Sequence, residues 1–120
     1  MAKKKWKPVV ITTVEDVIAE DWWEVRHCGK RFIAHIAVGR PSPDPSGRDW
    51  YCPVLMEGLP RGWSEMKGWR PIYGVGPVDS AMNALVLVSR AFHDFGPSPL
   101  GRPPLSAERR RERRGRSADL

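Results

Sequence analysis

Residues 77–95 carry the pattern of one long helix, and any fold of this chain must give that helix a surface to pack on. Pro77 suits the first helical position, Asp79 favours the positive end of the helix dipole, and Gly96-Pro97 is a stop signal. The pattern predicts a helix packed across a sheet, whose flanks also meet loops or a second copy of the chain. The apolar positions cover more than half of the circumference: Val78, Ala81, Met82, Ala84, Leu85, Leu87, Val88, Ala91, Phe92 and Phe95.

Short apolar runs between loops rich in proline and glycine predict the strands. Residues 32–38 place Phe32, Ala34, Ile36 and Val38 on one face at period two, and residues 50–56 and 69–75 are the other two runs of strand length. Pro53 inside the second run predicts an edge strand or a bulge, because proline cannot donate to a sheet ladder. The loops are residues 39–47, residues 57–68 and the segment that begins at Gly96.

Residues 14–27 fit two structures. As a helix, the segment has Thr13 as its N-cap and a stripe of apolar residues that includes Trp22. As a strand, it places Trp23 on an apolar face and Trp22 on the opposite face. The turn that follows, at residues 28–30, and the aromatic content favour a strand for the second half of the segment.

The fold class that we expect is α+β: an antiparallel sheet of three or four strands, with the helix of residues 77–95 packed on one face. The net charge of +6 over 120 residues is unevenly distributed. Residues 1–7 carry four Lys and no acid, and residues 106–120 carry six Arg against three acids, so the middle of the chain is nearly neutral. We expect a basic segment at residues 1–8, a single domain at 9–96, and a proline-rich linker with an arginine-rich disordered tail at 97–120.

The sequence also predicts a compartment. The apolar run after the first lysines is short and ends in acids, unlike a secretory signal, and no run approaches the roughly 20 apolar residues that span a bilayer. Cys28 and Cys52 are therefore expected to be reduced thiols, and the protein is expected to be cytoplasmic.

Four motifs occur in an order that resembles a family of small bacterial domains of unknown function. They are VIAE at residues 17–20, VGRP at 38–41, WYCP at 50–53 and GPVDSAMNAL at 76–85. In that family, strands with an IAER-like start, a GRP element and a W-x-C-P element precede a helix with a GVD-x-x-QAL motif. This chain departs from the helix motif, because a proline follows the glycine and Met-Asn replaces the usual glutamine. The resemblance covers about residues 16–96 and implies a β-rich sheet followed by one helix, without implying an activity.

Patterns that would indicate catalysis or metal binding are weak. The possible metal ligands are His27, Cys28, His35, Cys52 and His93, and no pair of them has the tight spacing of structural zinc sites. Cys52 and His35 lie on neighbouring predicted strands and could form a nucleophile with its base. The chain has no nucleophile elbow, P-loop or dinucleotide-binding motif. We expect a protein without enzyme activity, cofactor or metal site.

Two tryptophans are predicted to bind a partner. Strand alternation places Trp22 among acidic and basic neighbours, where a large indole is usually covered by another surface. Trp63 lies in a glycine-rich loop without apolar neighbours in sequence. Because exposed tryptophan is enriched at interfaces, both are candidate contact residues. The alternative for Trp22 is that loops or a terminal segment of the same chain cover it.

The basic ends are candidate nucleic-acid contacts, since runs of lysine and arginine attract phosphate backbones through counterion release. The alternative is that they are solvated tails that keep the protein soluble. The residues concerned are Lys3, Lys4, Lys5, Arg109, Arg110, Arg111, Arg113 and Arg114.

These observations predict a non-catalytic binding module that acts through protein–protein contacts, of the kind found among bacterial or phage accessory and immunity proteins. Its partner is expected to be another protein or a second copy. One alternative is a nucleic-acid-associated protein that binds through its basic ends. The other is a small enzyme of unrecognised chemistry.

Overall fold

The computed structural model describes residues 14, 16–60, 62–63, 66–100 and 103–104. These residues form an antiparallel sheet and a helix, which confirms the predicted α+β class and both predicted ends of the helix. The sheet has six strands where three or four were expected, since two strands are only two residues long and carry no periodic signal. The elements are β1 (Val17–His27), β2 (Lys30–Gly39), β3 (Ser42–Pro43), β4 (Trp50–Glu57), β5 (Trp69–Gly74), α1 (Pro77–Phe95) and β6 (Ser98–Pro99).

β1 and β2 form a long hairpin that supports the rest of the sheet. Their pairing runs from Val17 opposite Gly39 to His27 opposite Lys30, with one irregularity near the start. Cys28 has φ 51°, and the glycine after it also has a positive φ, as a two-residue type I′ turn requires. The helical interpretation of residues 14–27 is therefore wrong. Pairing with β2 along nearly the whole strand stabilises this segment more than the packing of one apolar helix face would have done.

β4 is an interior strand, and the expectation that Pro53 marks an edge or a bulge is wrong. The strands lie in the order β3-β4-β2-β1-β6, and β5 also pairs with β4. The pairing of β4 with β2 ends at Val54, so the missing N–H of Pro53 leaves no hydrogen bond to β2 unmade. On β5 it faces Pro71, and two prolines can face each other where an antiparallel pair exchanges no hydrogen bonds.

The core fills the space between the sheet and α1. The prediction that residues 32–38 present one apolar face is confirmed, because Ala34, Ile36 and Val38 all lie in this core. The loop after β4 contributes Leu59, which the sequence did not place in the core. The buried cluster consists of Val25, Ala34, Ile36, Val38, Cys52, Val54, Met56, Leu59, Ala84, Val88 and Ala91.

The inner face of α1 is made of small residues in its N-terminal half, so the start of the helix lies close to the sheet. Its buried positions are Ser80, Ala84, Val88 and Ala91. A Cβ atom at Gly74 of β5 would collide with the backbone nitrogen of Ser80. Glycine at the end of β5 is therefore required for this approach.

The outer face of α1 contradicts the expectation that the helix packs over more than half of its circumference. Val78 is 71% exposed, Met82 60%, Leu85 56% and Val86 51%. The C-terminal half is better covered, because the ring of Phe92 lies 4.6 Å from that of Trp23 on β1. The sequence pattern predicted the helix correctly. Because apolar residues lie on nearly every side of it, the pattern could not show which side faces the sheet.

β6 continues the sheet beyond the helix. Ser98 and Pro99 pair with Glu24 and Trp23 of β1, within the segment that the sequence assigns to a linker. Residues 1–13 and 105–120, which include all the predicted nucleic-acid contacts, lie outside the described residues.

The orientation of α1 predicts different effects for two truncations on the same helix. Phe92→Ala is expected to lower the free energy of unfolding by about 2–4 kcal/mol, because its ring packs on Trp23 and the core. Leu85→Ala is expected to change it by less than about 0.5 kcal/mol, as at a surface site. Urea denaturation of both variants measures the difference. Equal losses in the two variants would contradict this orientation.

Candidate functional site

The feature of the described chain that most needs an explanation is an exposed row of large apolar side chains on α1. Val78, Met82, Leu85 and Val86 follow the spacing i, i+4, i+7 and i+8, so they lie side by side along one face. We call these four residues the apolar stripe. Val75, just before the helix, extends it and is 82% exposed. Together these side chains expose several hundred Å², the range in which a patch on a monomer is often functional.

The side chains of the apolar stripe are larger than most of those at the buried positions of the inner face. Serine and alanine face the sheet at positions 80, 84 and 91, whereas methionine and leucine face outward at positions 82 and 85. A helix that only had to pack on its own sheet would usually cover its large apolar side chains along its whole length, as α1 does for Leu87, Phe92 and Phe95. This arrangement leaves apolar area for a second surface to cover.

The N-terminal half of the helix is held rigidly under the stripe. The Asp79 carboxylate accepts a hydrogen bond from the Val75 backbone nitrogen at 2.9 Å. The side-chain amide of Asn83 donates to the Tyr73 carbonyl oxygen, also at 2.9 Å. These two bonds tie the polar flank of α1 to the end of β5, so the stripe is presented by a fixed element.

An open groove of about 470 Å³ runs beside the C-terminal half of α1. One wall is Trp63, whose Nε1 donates a hydrogen bond to Asp94 Oδ2 at 3.2 Å. Trp63 is partly buried and packs against the core, so this predicted partner-binding residue is a wall of the groove and not a free indole. The groove meets the apolar stripe at Val86, which belongs to both. Its lining residues are Trp63, Val86, Ser89, Arg90, His93 and Asp94.

The structure corrects the prediction that the Trp22 side chain is exposed. Strand alternation places Trp22 opposite Trp23, as expected, but the indole is only 9% exposed. It stacks on the His35 ring of β2, with centroids 4.4 Å apart and planes 5° from parallel. The acidic neighbours in sequence suggested a solvent-facing site, whereas the covering ring comes from the paired strand. Trp22 is therefore a poor candidate for a contact residue.

The possible nucleophile and base do not meet. Cys52 lies in the core under α1, while His35 lies on the opposite face of the sheet, where Nε2–H donates to Glu20 Oε2 at 2.8 Å. Burial raises the pKa of the Cys52 thiol to about 11, which disfavours the thiolate that a nucleophile requires. Its Sγ points to the Gly39 carbonyl oxygen at 3.5 Å. The Cys–His pair that the sequence allowed therefore has no geometric basis, and Cys52 is a small buried residue of a core strand.

Other chemistry has little support in the described part of the chain. Within it, no group of three or more His, Cys, Asp and Glu side chains is placed to hold a metal ion. No helix among these residues is long and apolar enough to cross a bilayer. Comparison with protein families, with curated proteins and with solved structures found no match to this chain, so the resemblance stated from its motifs stays a prediction.

The buried Cys52 thiol predicts a pH dependence of stability. The thiol ionises near pH 9 in the unfolded chain and near 11 in the folded one. Between these values the unfolded state loses its proton first, so the contribution of Cys52 to stability is complete below pH 9 and falls as pH rises towards 11. Urea unfolding of the native chain and of Cys52→Ala across this window isolates the effect, and their difference should shrink by about 1–2 kcal/mol. A constant difference would mean that Cys52 is not held as a neutral thiol.

Proposed function

We propose that this chain is a non-catalytic binding module that acts through protein–protein contacts, with the apolar stripe as its contact surface. The observation that carries the proposal is the outward placement of Val78, Met82, Leu85 and Val86 on the N-terminal half of a helix whose buried positions there are Ser80 and Ala84. Helices that lay such a row against another protein are a recurrent mode of recognition.

The surroundings of the stripe also fit an interface. A central apolar patch with polar groups around it is the usual arrangement. Here Asp79 and Asn83 flank the stripe on one side, and Arg90 and His93 lie towards its C-terminal end. The partly buried Trp63 beside them offers aromatic area, of the kind that anchors interfaces.

The class of module that we propose is a small bacterial or phage accessory or immunity protein. The resemblance of residues 16–96 to a family of small bacterial domains supports only the bacterial part of this class, and the accessory or immunity role rests on analogy with other small binding proteins. Such proteins act by binding another protein, and an exposed, rigidly held helix face suits that role.

A charge placed in the stripe should abolish association without unfolding the protein. Met82→Glu is expected to change the free energy of unfolding by less than about 0.5 kcal/mol, since the side chain is 60% exposed. It should weaken binding by about 2 kcal/mol or more, because the acid would have to be buried in an apolar interface. The measurement is quantitative mass spectrometry of proteins retained from the native cytosol by the full chain, after nuclease treatment.

Ile18→Glu is the matched control for this experiment. Ile18 lies on β1, a different element from the stripe, is 59% exposed and receives the same substitution. Proteins lost with Met82→Glu but retained with Ile18→Glu would identify partners of the stripe. If the native chain neither retains a protein in this pattern nor self-associates through the stripe, the proposal is wrong.

A further inference from the structure

We infer that a second copy of this chain covers the apolar stripe, in an antiparallel arrangement with a two-fold axis at the level of residue 84. The apolar N-terminal end of each stripe then lies against the groove beside Trp63 of the other copy. This inference rests on the proposed function, since it names the occupant of the same surface.

The positions along α1 make the surface complementary to itself. Val78 marks the projecting end of the stripe, and Arg90 lies in the groove twelve residues later, about 18 Å further along the axis. A two-fold axis at residue 84 places each of these positions opposite the other in the partner copy. The same rotation brings Met82 of one copy opposite Val86 of the other, so apolar residues meet at the centre. A closed two-fold dimer requires this kind of self-matching surface.

The shapes of the two ends also correspond. Val75 and Val78 are among the most exposed apolar side chains of the described residues and project from the start of the helix. At the other end, the groove of about 470 Å³ is open to solvent and has Val86 and Trp63 in its walls. A projecting pair of valines on one copy therefore finds a partly apolar depression on the other.

The charges favour the antiparallel orientation over the parallel one. The acid on the flank of the stripe, Asp79, is near the N-terminus, and Arg90 lies in the groove near the C-terminus, where the acid Asp94 already accepts a hydrogen bond from Trp63 Nε1. An antiparallel pair sets Asp79 close to Arg90 of the other copy, whereas a parallel pair sets like charges together. Within the described residues Arg90 has no ion pair, so its guanidinium is available for this contact. The helix dipoles also oppose one another in the antiparallel pair.

The area indicates a weak dimer. Each copy offers several hundred Å² of stripe, less than the roughly 800 Å² per partner of a standard stable interface. The groove walls add to this area without making the surface large. We therefore expect the fraction of dimer to rise and fall with the protein concentration.

Disulfide trapping tests the arrangement. The background is Cys28→Asn, which removes the exposed thiol and suits the left-handed turn, while Cys52 stays buried. With Met82→Cys and Val86→Cys together, oxidation of the full chain should give covalent dimers about tenfold faster than with either substitution alone, because only unlike positions face each other. Ile18→Cys in the same background is the control for random collision.

Three trapping outcomes are decisive. Faster trapping in the double variant supports the antiparallel dimer. If Met82→Cys alone is trapped as fast as the double variant, the two helices pair in parallel. If the double variant is trapped no faster than Ile18→Cys, the chains do not pair through this face. Either of the last two results overturns the inference.

Sedimentation of the full chain measures the dimer without cross-links. The dissociation constant is expected to rise at least about tenfold in Met82→Glu and about threefold in Asp79→Asn, which keeps an acceptor for Val75 but removes the charge. Ile18→Glu should leave it unchanged. A native chain that stays monomeric up to about 1 mM, or a dimer indifferent to Met82→Glu, overturns the inference. If the cytosolic experiment still finds proteins that depend on Met82, the proposed function stands with another protein on the stripe.

Discussion

The close approach of α1 to the sheet determines most of what this structure presents to its surroundings. Gly74 has no Cβ to collide with the start of the helix, and small residues at positions 80, 84 and 91 let the helix axis lie near β4 and β5. A close-packed interior cannot at the same time accommodate methionine and leucine on that face. In the N-terminal half of α1 the larger apolar side chains are therefore turned outward, whereas Leu87, Phe92 and Phe95 further along the helix pack against the core.

Local signals in the sequence were enough to predict the helix and the longer strands, but not the two-residue strands β3 and β6. Proline and glycine at the two ends fixed the bounds of the helix, which match residues 77–95. Alternation identified β2 and its inner face, and the turn at Cys28 identified the hairpin. In each case the information lies within a few residues of the feature that it determines, so one sequence suffices.

The errors share a different origin, because each depended on a partner distant in sequence. Whether Trp22 is buried depended on His35 across the hairpin, and the position of Pro53 inside the sheet depended on where the pairing with β2 stops. The helix was apolar on nearly every side, so periodicity could not identify the stripe that faces the sheet. The site was missed for that reason, although one signal was available. A helix with small residues along one stripe and large apolar residues along another indicates close packing on the first and an open surface on the second.

The free energy gained by covering the apolar stripe determines how tightly another surface can bind there. If each copy removes on the order of 400 Å² of apolar surface from water, the gross gain for two copies is about 20 kcal/mol at about 25 cal/mol per Å². Lost translational and rotational freedom costs about 4–15 kcal/mol, and ordering a flexible side chain such as Met82 adds to that cost. These costs, together with the desolvation of polar groups that are imperfectly paired, remove much of the gross gain, so neither apolar area nor the proposed contact of Asp79 with Arg90 would produce a permanent complex alone. The surface is suited to an association that responds to concentration and to competition. A partner with a deeper complementary groove would displace a second copy from the same residues.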